Sequence, residues 1–547
     1  MKKLGNKIVY ELYPISFMDS NNDGYGDIKG IIEKLDYLQL LGIDLIWITP
    51  IFKSPKNDNG YDISNYCEID QSFGTMDDVD NLIEEAKKRN IGIMFDMVFN
   101  HVSTESEWFK KALEGSKKYQ DYFYIVKSND KVNPPCNWVS KFGGPAWKYE
   151  EKFNGWYLCL YDKTQADLKW LNPEVREELV KVMKFWIDKG IKGFRFDVIN
   201  VIGKSGKFIN AEDNIGKSFY TDQPIVHKYL KEINKASFGN IEDFITVGEM
   251  SSTTIENCIL YSNPKEKELD MVFNFHHLKV DYKNGEKWEN KPWDKKEFKR
   301  LIQTWQLKLQ DRGWNAVFLN NHDQPRINSR YGNVKKYWFE SSTLFATLIF
   351  TLQGTPFIYQ GEEIGMTNPY FETIDQYRDV ESINAFNEMK AKGMDEKLIL
   401  EILSVKSRDN SRTPMQWNDK KNAGFSDAKP WIDVAKNYKQ INVESQINNP
   451  NSVFNFYRKL IKLRKENEAL FEGKIQFIDS EDSLMIFKRT TFSKELVSIL
   501  NISDQEVYYD VKQFKYIDIL VNNYKEIDSK SIKPFQALVL EIEKNSV

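Results

Sequence analysis

Cysteine is scarce in this chain of 547 residues, and long apolar runs are missing. The four cysteines, Cys67, Cys136, Cys159 and Cys258, lack metal-ligand spacing, which favours reduced thiols over a disulfide framework or a zinc site. The longest strongly apolar stretch, at 344–352, is too short to span a bilayer as a helix. The first residues, MKKLGNKIVYELYP, include lysines but not the apolar run of a signal peptide. These absences predict a soluble, cytoplasmic protein.

The chain also lacks an excess of charge of either sign. Lysine and arginine number 76 and aspartate and glutamate 80, which gives a net charge of −4. This balance provides no reason to expect nucleic acid or an anionic membrane as a partner. We therefore expect no nucleic acid and no membrane, but a small-molecule substrate, with the protein acting as a monomer or homodimer.

A repeated alternation of strands and helices is present instead. Short apolar runs rich in β-branched and aromatic residues recur, and amphipathic segments such as 28–42, 76–90 and 173–190 lie between them. Eight such units in one chain favour a TIM (β/α)8 barrel over an open sheet. The predicted strands lie within 7–14, 43–50, 91–101, 193–200, 244–250, 271–277, 315–323 and 355–365.

Two irregular stretches and a C-terminal segment lie outside this alternation. One stretch, rich in Trp, Tyr, Asn and Pro, separates the third strand from its helix, and another, at 366–435, follows the eighth strand. From about residue 474 onward, alternating apolar and polar residues indicate an antiparallel β-sandwich. We predict a barrel formed by 1–101 and 172–473, an inserted domain at 102–171 and a C-terminal β domain at 474–547.

Polar residues gather at the C-terminal ends of the predicted strands, where a TIM barrel has its active site. Arg195 and Asp197 are two residues apart, so they point to the same face of strand 4. A neighbouring guanidinium lowers the pKa of a carboxyl and keeps it ionised, as a carboxylate nucleophile requires. Glu249 lies in the apolar run VGEM with no cation beside it in the sequence, which favours a raised pKa and a proton-donor role. An ionised and a protonated carboxyl together are the pair that performs glycoside hydrolysis. The sequence does not give the distance between the two carboxyls, so it does not distinguish retention from inversion of configuration.

Four motifs in this order, DMVFNH, GFRFDVIN, VGEM and NNHD, resemble the conserved regions of the α-amylase superfamily. The resemblance covers the whole chain, since the insertion is similar to that family's B domain and the C-terminal segment to its C domain. It implies a retaining mechanism, with Asp197 as nucleophile, Glu249 as acid/base and Asp323 as the carboxylate that distorts and holds the sugar. It implies further substrate contacts from His101, Arg195 and His322 in the −1 subsite, and from Asp58, Tyr61, Phe142, Gln165 and Arg412, which match the exo-acting α-glucosidase branch.

The loop DSNNDGYGDIKG, at 19–30, has oxygen-bearing side chains at alternate positions. The spacing is similar to that of an EF-hand, but Gly30 stands where an EF-hand has a bidentate Glu. The residues alone are compatible with a calcium site that is not an EF-hand and with a polar turn that only resembles one. The resemblance to the α-glucosidase branch implies a structural Ca²⁺ that stabilises the loop. It implies no organic cofactor. The ligands that it implies are Asp19, Asn21, Asp23, the backbone carbonyl of Tyr25, and Asp27.

Further stretches bear on the substrate. QADLKW, at 165–170, is similar to the variant in trehalose-6-phosphate hydrolases, although Lys169 departs from the usual Asn. Val198 is similar to the residue that both this group and the α-1,6-acting enzymes carry after the nucleophile. The stretch 248–288 resembles the trehalose-6-phosphate hydrolases closely. A phosphate on the leaving glucose needs cations near the +1 subsite, and Lys279 and Lys287 are the candidates, with ordinary surface lysines as the alternative.

Several functions follow from this reading. The expected activity is hydrolysis of α,α-trehalose 6-phosphate to glucose and glucose 6-phosphate, and the alternative is an oligo-1,6-glucosidase acting on isomaltose-like ends. A trehalose synthase-type transglycosylase is also compatible, because retaining enzymes partition between water and sugar acceptors. A non-catalytic relative, such as the heavy chain of an amino-acid transporter, is disfavoured because such chains carry a transmembrane helix and lose the catalytic carboxylates. The substrate expected is therefore a sugar phosphate or an oligosaccharide.

Overall fold

Eight parallel strands form the main sheet of the protein, for which a computed structural model describes residues 4–289 and 291–543. The strands are β1 Val9–Leu12, β2 Leu45–Ile48, β3 Gly92–Met97, β4 Gly193–Phe196, β5 Ile245–Glu249, β6 Met271–Phe273, β7 Ala316–Val317 and β8 Thr355–Tyr359. Their order across the sheet is β6-β5-β4-β3-β2-β1-β8-β7, and a parallel bridge between Val272 and Asn315 joins the two ends. The predicted TIM barrel is confirmed.

The barrel strands are short and almost entirely buried. Every residue of β1 and β2 is buried, as parallel strands covered on both faces require. Charged residues interrupt this apolar composition only locally, and the buried Glu11, Asp96 and Arg195 lie towards the C-terminal ends of β1, β3 and β4. The same apolar strands that close the barrel therefore carry a buried polar cluster to one end of it.

The predicted strand at 315–323 is much shorter in the structure. Only Ala316–Val317 pairs as a strand, because the polar residues that follow bond to the loop instead. Asn320 Oδ1 accepts the backbone N–H of Ile327 at 2.6 Å, and Asn321 Oδ1 accepts that of Asp323 at 2.9 Å. These side-chain bonds to the backbone compete with strand pairing and fix the loop that carries the NNHD motif.

The helix Pro173–Lys189 illustrates the end signals of the barrel helices. The Asn172 side chain accepts the N–H of Glu174, Pro173 opens the helix, and Gly190 ends it with φ 105°. The predicted helix at 28–42 is two helices in the structure, because the backbone at Lys34 leaves helical geometry where its ammonium packs over Trp417.

The remaining helices are Ile28–Glu33, Leu35–Leu41, Met76–Lys88, Glu107–Leu113, Lys117–Gln120, Ile225–Ala236, Ile255–Ser262, Lys295–Leu309, Ile327–Arg330, Trp338–Thr351, Val380–Ala391, Glu396–Lys406, Asp409–Arg412, Val443–Ile447, Val453–Glu466 and Glu468–Phe471. Within the described ranges, none of these helices has the length and apolarity to cross a membrane.

The insertion after β3 begins and ends at one antiparallel ribbon. The strand His101–Ser103 pairs with Gln165–Asp167, so that His101 lies opposite Asp167. Beyond the ribbon, a three-stranded sheet is formed by Ile125–Lys127, Gly155–Leu158 and Trp147–Glu150, and Trp138 and Trp147 belong to a separate buried cluster. The ribbon therefore anchors the insertion beside the end of β3. A second ribbon, Phe52–Lys53 with Asn65–Ile69, lies in the loop after β2.

The C-terminal segment forms a five-stranded antiparallel sheet, as predicted. The strands in spatial order are Lys474–Ile478, Leu484–Thr490, Glu495–Asn501, Ala537–Ile542 and Tyr516–Asn522. A two-stranded ribbon, Val507–Tyr508 with Ser531–Ile532, packs in the same apolar cluster as this sheet. The fold class is confirmed, whereas the residue limits of the three domains stay predictions.

Two buried arginines bond to backbone carbonyls near the junction of the barrel and the C-terminal segment, and Arg489 bonds across it. Arg464, in the helix Val453–Glu466, donates to the carbonyls of Gly5 at 2.8 Å and Leu352 at 3.0 Å. Arg489, in the C-terminal sheet, donates to the carbonyls of Thr351 and Gly473, both at 2.8 Å. Both side chains are completely buried, so their bonds to backbone carbonyls are shielded from water.

Candidate active site

Arg195 is the centre of the polar cluster at the C-terminal end of the barrel. Strand pairing places it beside Asp96 of β3 and Val247 of β5. Its Nη1 donates to Asp96 Oδ1 at 2.8 Å and to Asp197 Oδ1 at 2.7 Å, and its Nη2 donates to Glu249 Oε2. One buried guanidinium therefore positions carboxylates from three neighbouring strands, and each bond is charge-assisted.

The two predicted reacting carboxyls have raised pKa values. Burial raises the pKa of Asp197 to about 6 even though Arg195 lowers it, so the prediction of a net lowering is wrong because burial outweighs the nearby cation. Burial also raises the pKa of Glu249 to about 8, as predicted, although Arg195, which is distant in the sequence, contacts it in space and lowers that pKa. At neutral pH the pair consists of an ionised Asp197 and a protonated Glu249.

Asp323 lies between two arginines in the loop after β7. Its Oδ1 accepts from Arg412 Nη2 at 2.7 Å and lies 3.4 Å from Arg408 Nη1. Burial alone would raise the pKa of Asp323, but the surrounding positive charges hold that pKa far below its usual range. This carboxylate is therefore ionised at neutral pH. Arg412 also fixes the loop, because its Nε donates to the carbonyl of His322 at 2.9 Å.

His322 and Tyr61 form a stacked pair beside these carboxylates. Their ring centroids are 5.3 Å apart at an interplanar angle of 15°, and Tyr61 Oη lies 2.8 Å from His322 Nε2. Glu11 of β1 fixes the imidazole from behind, since its Oε1 lies 2.6 Å from His322 Nδ1. Burial lowers the pKa of His322 to about 3, so the ring is neutral at physiological pH.

The ribbon that anchors the insertion brings further predicted residues to this end of the barrel. Gln165 Nε2 donates to Asp58 Oδ2 at 3.0 Å, and His101 Nε2 lies 3.1 Å from the carbonyl of Tyr61. Burial raises the pKa of Asp58 to about 7 and lowers that of His101 to about 4. Pairing of the ribbon thus joins the insertion to the loop after β2.

A cavity opens at this end of the barrel and is lined by most of the predicted site residues. Gln165, Arg195, His322 and Arg412 do not line it, but each bonds to a residue that does. The predicted residues that line the cavity are Asp58, Tyr61, His101, Phe142, Asp197, Glu249, Lys279 and Asp323.

Comparison with known proteins agrees with this geometry. Residues 11–473 match the family model described as the catalytic domain of alpha amylase. The chain belongs to the α-amylase family. It is a glycoside hydrolase, with a barrel and a polar strand-end cluster of the kind that this chemistry uses.

Individual members of the α-amylase family are similar to the chain over its whole length. A trehalose-6-phosphate hydrolase of Bacillus subtilis (strain 168) is 46% identical, with 98% of each chain covered. An oligo-1,6-glucosidase of Bacillus cereus is 43% identical, again with 98% of each covered. The crystal structure of a Bacillus licheniformis trehalose-6-phosphate hydrolase superposes with a TM-score of 0.95 at 48% identity, covering 99% of this chain and 100% of that one.

Lys287 does not line the cavity of this α-amylase-family site. Its Nζ donates to Glu381 Oε2 at 2.7 Å and lies 4.5 Å from the centroid of the Trp288 ring. Glu381 in turn lies 3.4 Å from the Nε of Arg408, which lines the cavity. The structure thus places Lys279 in the cavity lining and Lys287 outside it, and the prediction that both lysines bind a phosphate stays a prediction.

Several cavity residues were missed by the sequence reasoning. Lys141 immediately precedes the predicted Phe142, and Arg408 precedes Arg412 by one helical turn, so a search of the flanking positions would have found both. Arg408 contacts Asp323 and lies over the Phe142 ring, 5.6 Å from its centroid. Tyr161, Phe275 and Gln324 also line the cavity, but nothing in their sequence context distinguishes them.

The loop at 19–30 lies apart from the cavity, and backbone bonds organise its carboxylates. Asp19 accepts the N–H groups of Asn22 at 2.7 Å and Gly24 at 2.8 Å. Asp27 Oδ1 accepts the N–H of Gly30 at 2.7 Å and so caps the helix Ile28–Glu33. In the described part of the chain, no three His, Cys, Asp or Glu side chains converge as a metal site, so a cation here would depend on amide and carbonyl oxygens as well. The donor set is all oxygen, which fits a hard cation such as Ca²⁺.

Proposed function

We propose that the chain hydrolyses α,α-trehalose 6-phosphate to glucose and glucose 6-phosphate with retention of configuration. The observation that carries this proposal is Lys279, an ammonium group that lines the same cavity as Glu249. Burial and the charge of Lys217 lower the pKa of Lys279, and the described residues include no carboxylate that forms an ion pair with it. A cation in this position suits a leaving group that carries a phosphate. The similarity to two trehalose-6-phosphate hydrolases supports the same substrate.

The arrangement of Asp197 and Glu249 supports a retaining course. Both carboxyls bond to Arg195, and they are close enough to interact by a hydrogen bond with each other. A retaining pair is about 5–5.5 Å apart, whereas an inverting pair leaves about 6.5–9.5 Å for a water molecule. Bonding of both carboxyls to one guanidinium brings them close together and so supports the shorter, retaining separation.

Each carboxyl then has one role in two steps. Protonated Glu249 gives its proton to the glycosidic oxygen while Asp197 attacks C1, which releases glucose 6-phosphate and forms a covalent ester. Glu249, now ionised, takes a proton from water, and that water displaces Asp197 from C1 to release glucose. Arg195 stabilises Asp197 as the leaving carboxylate in the second step, because its bond to Oδ1 is already in place.

The remaining residues hold the sugar that is transferred. Asp323 presents a carboxylate that cannot be protonated, fixed by Arg408 and Arg412, for the ring hydroxyls. Tyr61, supported by the stacked ring of His322, offers a flat surface to one face of the sugar. Asp58 lines the cavity with Arg408 and is the partner for the hydroxyls at the non-reducing end.

We also propose a structural Ca²⁺ in the loop at 19–30, and a cytoplasmic location. The alternate oxygen ligands support the ion, which would be held by Asp19, Asn21, Asp23, the Tyr25 carbonyl and Asp27. The location follows from the proposed substrate, because a sugar phosphate carries a charge that does not cross a bilayer unaided.

A substrate comparison tests the proposed function. Glucose release is measured with trehalose 6-phosphate, trehalose, isomaltose and maltose at equal concentrations below saturation. We expect trehalose 6-phosphate to give the highest kcat/KM, and Lys279→Met to reduce the preference for it over trehalose. If isomaltose is the better substrate, the chain is an oligo-1,6-glucosidase, as its similarity to the Bacillus cereus enzyme would then explain.

A further inference from the structure

Three lysines from three separate loops lie close together at the cavity. Lys279 follows β6, Lys217 lies in the loop after β4, and Lys141 comes from the insertion. Lys141 and Lys279 line the cavity, and the charges of Lys217 and Lys279 act on Lys141. Like charges that lie this close repel one another unless an anion neutralises them.

Neither the half-buried Lys141 nor the exposed Lys279 forms an ion pair with any described residue, and the exposed Lys217 lies near the charge of Asp213. Lys204, which also lies close to Lys141, bonds to Asp167 Oδ1 at 2.8 Å and to Asn100 Oδ1 at 2.6 Å. Among the residues that the structure describes, none of the ion pairs involves Lys141, Lys217 or Lys279. The net charge of the chain is −4, so this local excess of positive charge is not a general property of the protein.

The insertion holds Lys141 in a defined position. Its backbone N–H donates to the carbonyl of Leu160 at 2.8 Å, and the preceding Ser140 donates to the carbonyl of Gly144, also at 2.8 Å. Its Nζ lies over the ring of Tyr220, 5.2 Å from the centroid. The side chain is therefore oriented before any ligand binds, and less rotamer freedom is lost on binding.

We propose that Lys141 is a specificity-determining residue that binds the 6-phosphate of the leaving glucose together with Lys279, with Lys217 adding positive charge at the rim. This inference rests on the proposed function and assigns recognition of the phosphate to the insertion as well as to the barrel. Phosphate oxygens accept charge-assisted hydrogen bonds from the two cavity lysines, and the third ammonium attracts the dianion electrostatically.

The pH dependence of binding gives a readout that a structural role would not change. Burial, followed by the charges of Lys217, Lys279 and Lys204, lowers the pKa of Lys141 to about 8. The other group packed against it is the phenol of Tyr220, whose pKa burial raises. Lys141 is charged below pH 8 and loses its proton above it, so KM for trehalose 6-phosphate should rise with pH through about 8. Lys141→Arg should keep its charge and remove this rise.

The main test compares two substrates in matched variants. We would measure kcat/KM for trehalose 6-phosphate and for 4-nitrophenyl α-glucoside with the wild type, Lys141→Met, Lys141→Arg and the control Lys152→Met, whose side chain lies exposed elsewhere on the insertion. Lys141→Met should lower the value for trehalose 6-phosphate by about ten- to a hundredfold, mostly through KM, and change the value for the aryl glucoside by less than about twofold. Lys141→Arg should restore most of the loss, and Lys152→Met should match the wild type.

The outcomes separate this inference from the proposed function. A wild type that hydrolyses trehalose 6-phosphate no better than trehalose overturns the proposed function and this inference with it. A wild type that prefers the phosphorylated sugar, with the same preference in Lys141→Met, overturns the inference alone. Equal losses on both substrates in Lys141→Met, at an unchanged melting temperature, also overturn it, since a positioning effect on the catalytic cluster would then explain them.

Discussion

At the scale of single residues, the site depends on how burial and charge share control of each carboxyl. Arg195 contacts both Asp197 and Glu249, yet burial raises the pKa of both carboxyls. The two pKa values differ because different further charges act on each carboxyl. Asp323 shows the opposite balance, since two arginines outweigh its burial. The same type of side chain is therefore an acid, a nucleophile or a permanent anion according to its neighbours.

The first residue-scale prediction concerns the nucleophile. Asp197→Asn should preserve the fold, because the substitution is isosteric, and should reduce kcat by about 10³-fold or more, because the covalent ester cannot form. Steady-state kinetics and the melting temperature measure the two effects. Glu249→Ala should be rescued by azide with an α-glycosyl azide as product, because azide displaces Asp197 from the β-linked ester, whereas Asp197→Ala should give the β-glycosyl azide by direct attack on the α-glycoside. Near-normal turnover by Asp197→Asn would refute the assignment.

The second residue-scale prediction is a bell-shaped pH profile. Asp197 must be ionised, so kcat/KM should fall as the pH drops through about 6. Glu249 must be protonated, so kcat/KM should also fall as the pH rises through about 8. The two limbs belong to the interacting pair rather than to either residue alone, so Glu249→Gln should abolish the basic limb in its residual activity. An aryl glucoside is the appropriate substrate, because its binding does not depend on the phosphate lysines.

At the scale of secondary-structure elements, several functional residues lie in the short loops that follow the strands rather than in the strands themselves. β4 ends at Phe196, and Val198, two residues on, has φ 36° and ψ 40°, a left-handed conformation that is costly for a β-branched side chain. Its backbone N–H lies 3.4 Å from Glu249 Oε2, and its side chain lines the cavity. The strained residue is thus held directly between the two reacting carboxyls.

The element-scale prediction concerns the loop at 19–30. If it binds Ca²⁺, chelation should lower the melting temperature, because the ion binds the folded state alone, while the rate at low temperature should change little. Scanning calorimetry with and without a chelator, followed by added Ca²⁺, measures the effect. Asp23→Asn removes an exposed ligand without touching the helix cap at Asp27, and it should reduce the response to Ca²⁺. No bound metal on elemental analysis and no effect of chelator would contradict this prediction.

At the scale of the whole molecule, the buried Arg489 connects the C-terminal sheet with the barrel, because it donates to the carbonyl of Thr351 at 2.8 Å. An exposed ion pair between Lys474 and Asp311 also crosses this junction, but water and salt screen it. Replacing Arg489 would leave the carbonyls of Thr351 and Gly473 without this donor. Both units should therefore unfold in one transition.

The whole-molecule prediction tests this connection. Arg489→Met should lower the free energy of unfolding by about 3 kcal/mol or more, because buried carbonyls lose charge-assisted bonds. Calorimetry should show a lower melting temperature, with the activity per folded molecule unchanged at low temperature. Lys512→Met, whose side chain lies exposed in the same C-terminal segment, is the control. Two separate transitions in the wild type would contradict the expected coupling.

The sequence predicted much of this molecule where a local pattern determines the outcome. Eight apolar runs predicted the barrel, and four motifs predicted the residues that gather around Arg195. Contacts between distant segments could not be predicted in the same way. Lys287 pairs with Glu381, and Lys141 approaches Lys279, only because of how separate loops fold. Likewise, the pKa of Asp197 depends mainly on how deeply the carboxyl is buried. The sequence shows the neighbouring Arg195 but not this burial.

The ribbon formed by His101–Ser103 and Gln165–Asp167 has a consequence for how such enzymes diversify. Both ends of the insertion leave the barrel at one place, so the segment between them can be exchanged as a cassette while the strands that hold Asp197, Glu249 and Asp323 stay the same. Lys141 belongs to that cassette. A family built in this way can acquire a new sugar as its substrate by replacing one module, with no change to the machinery that breaks the bond.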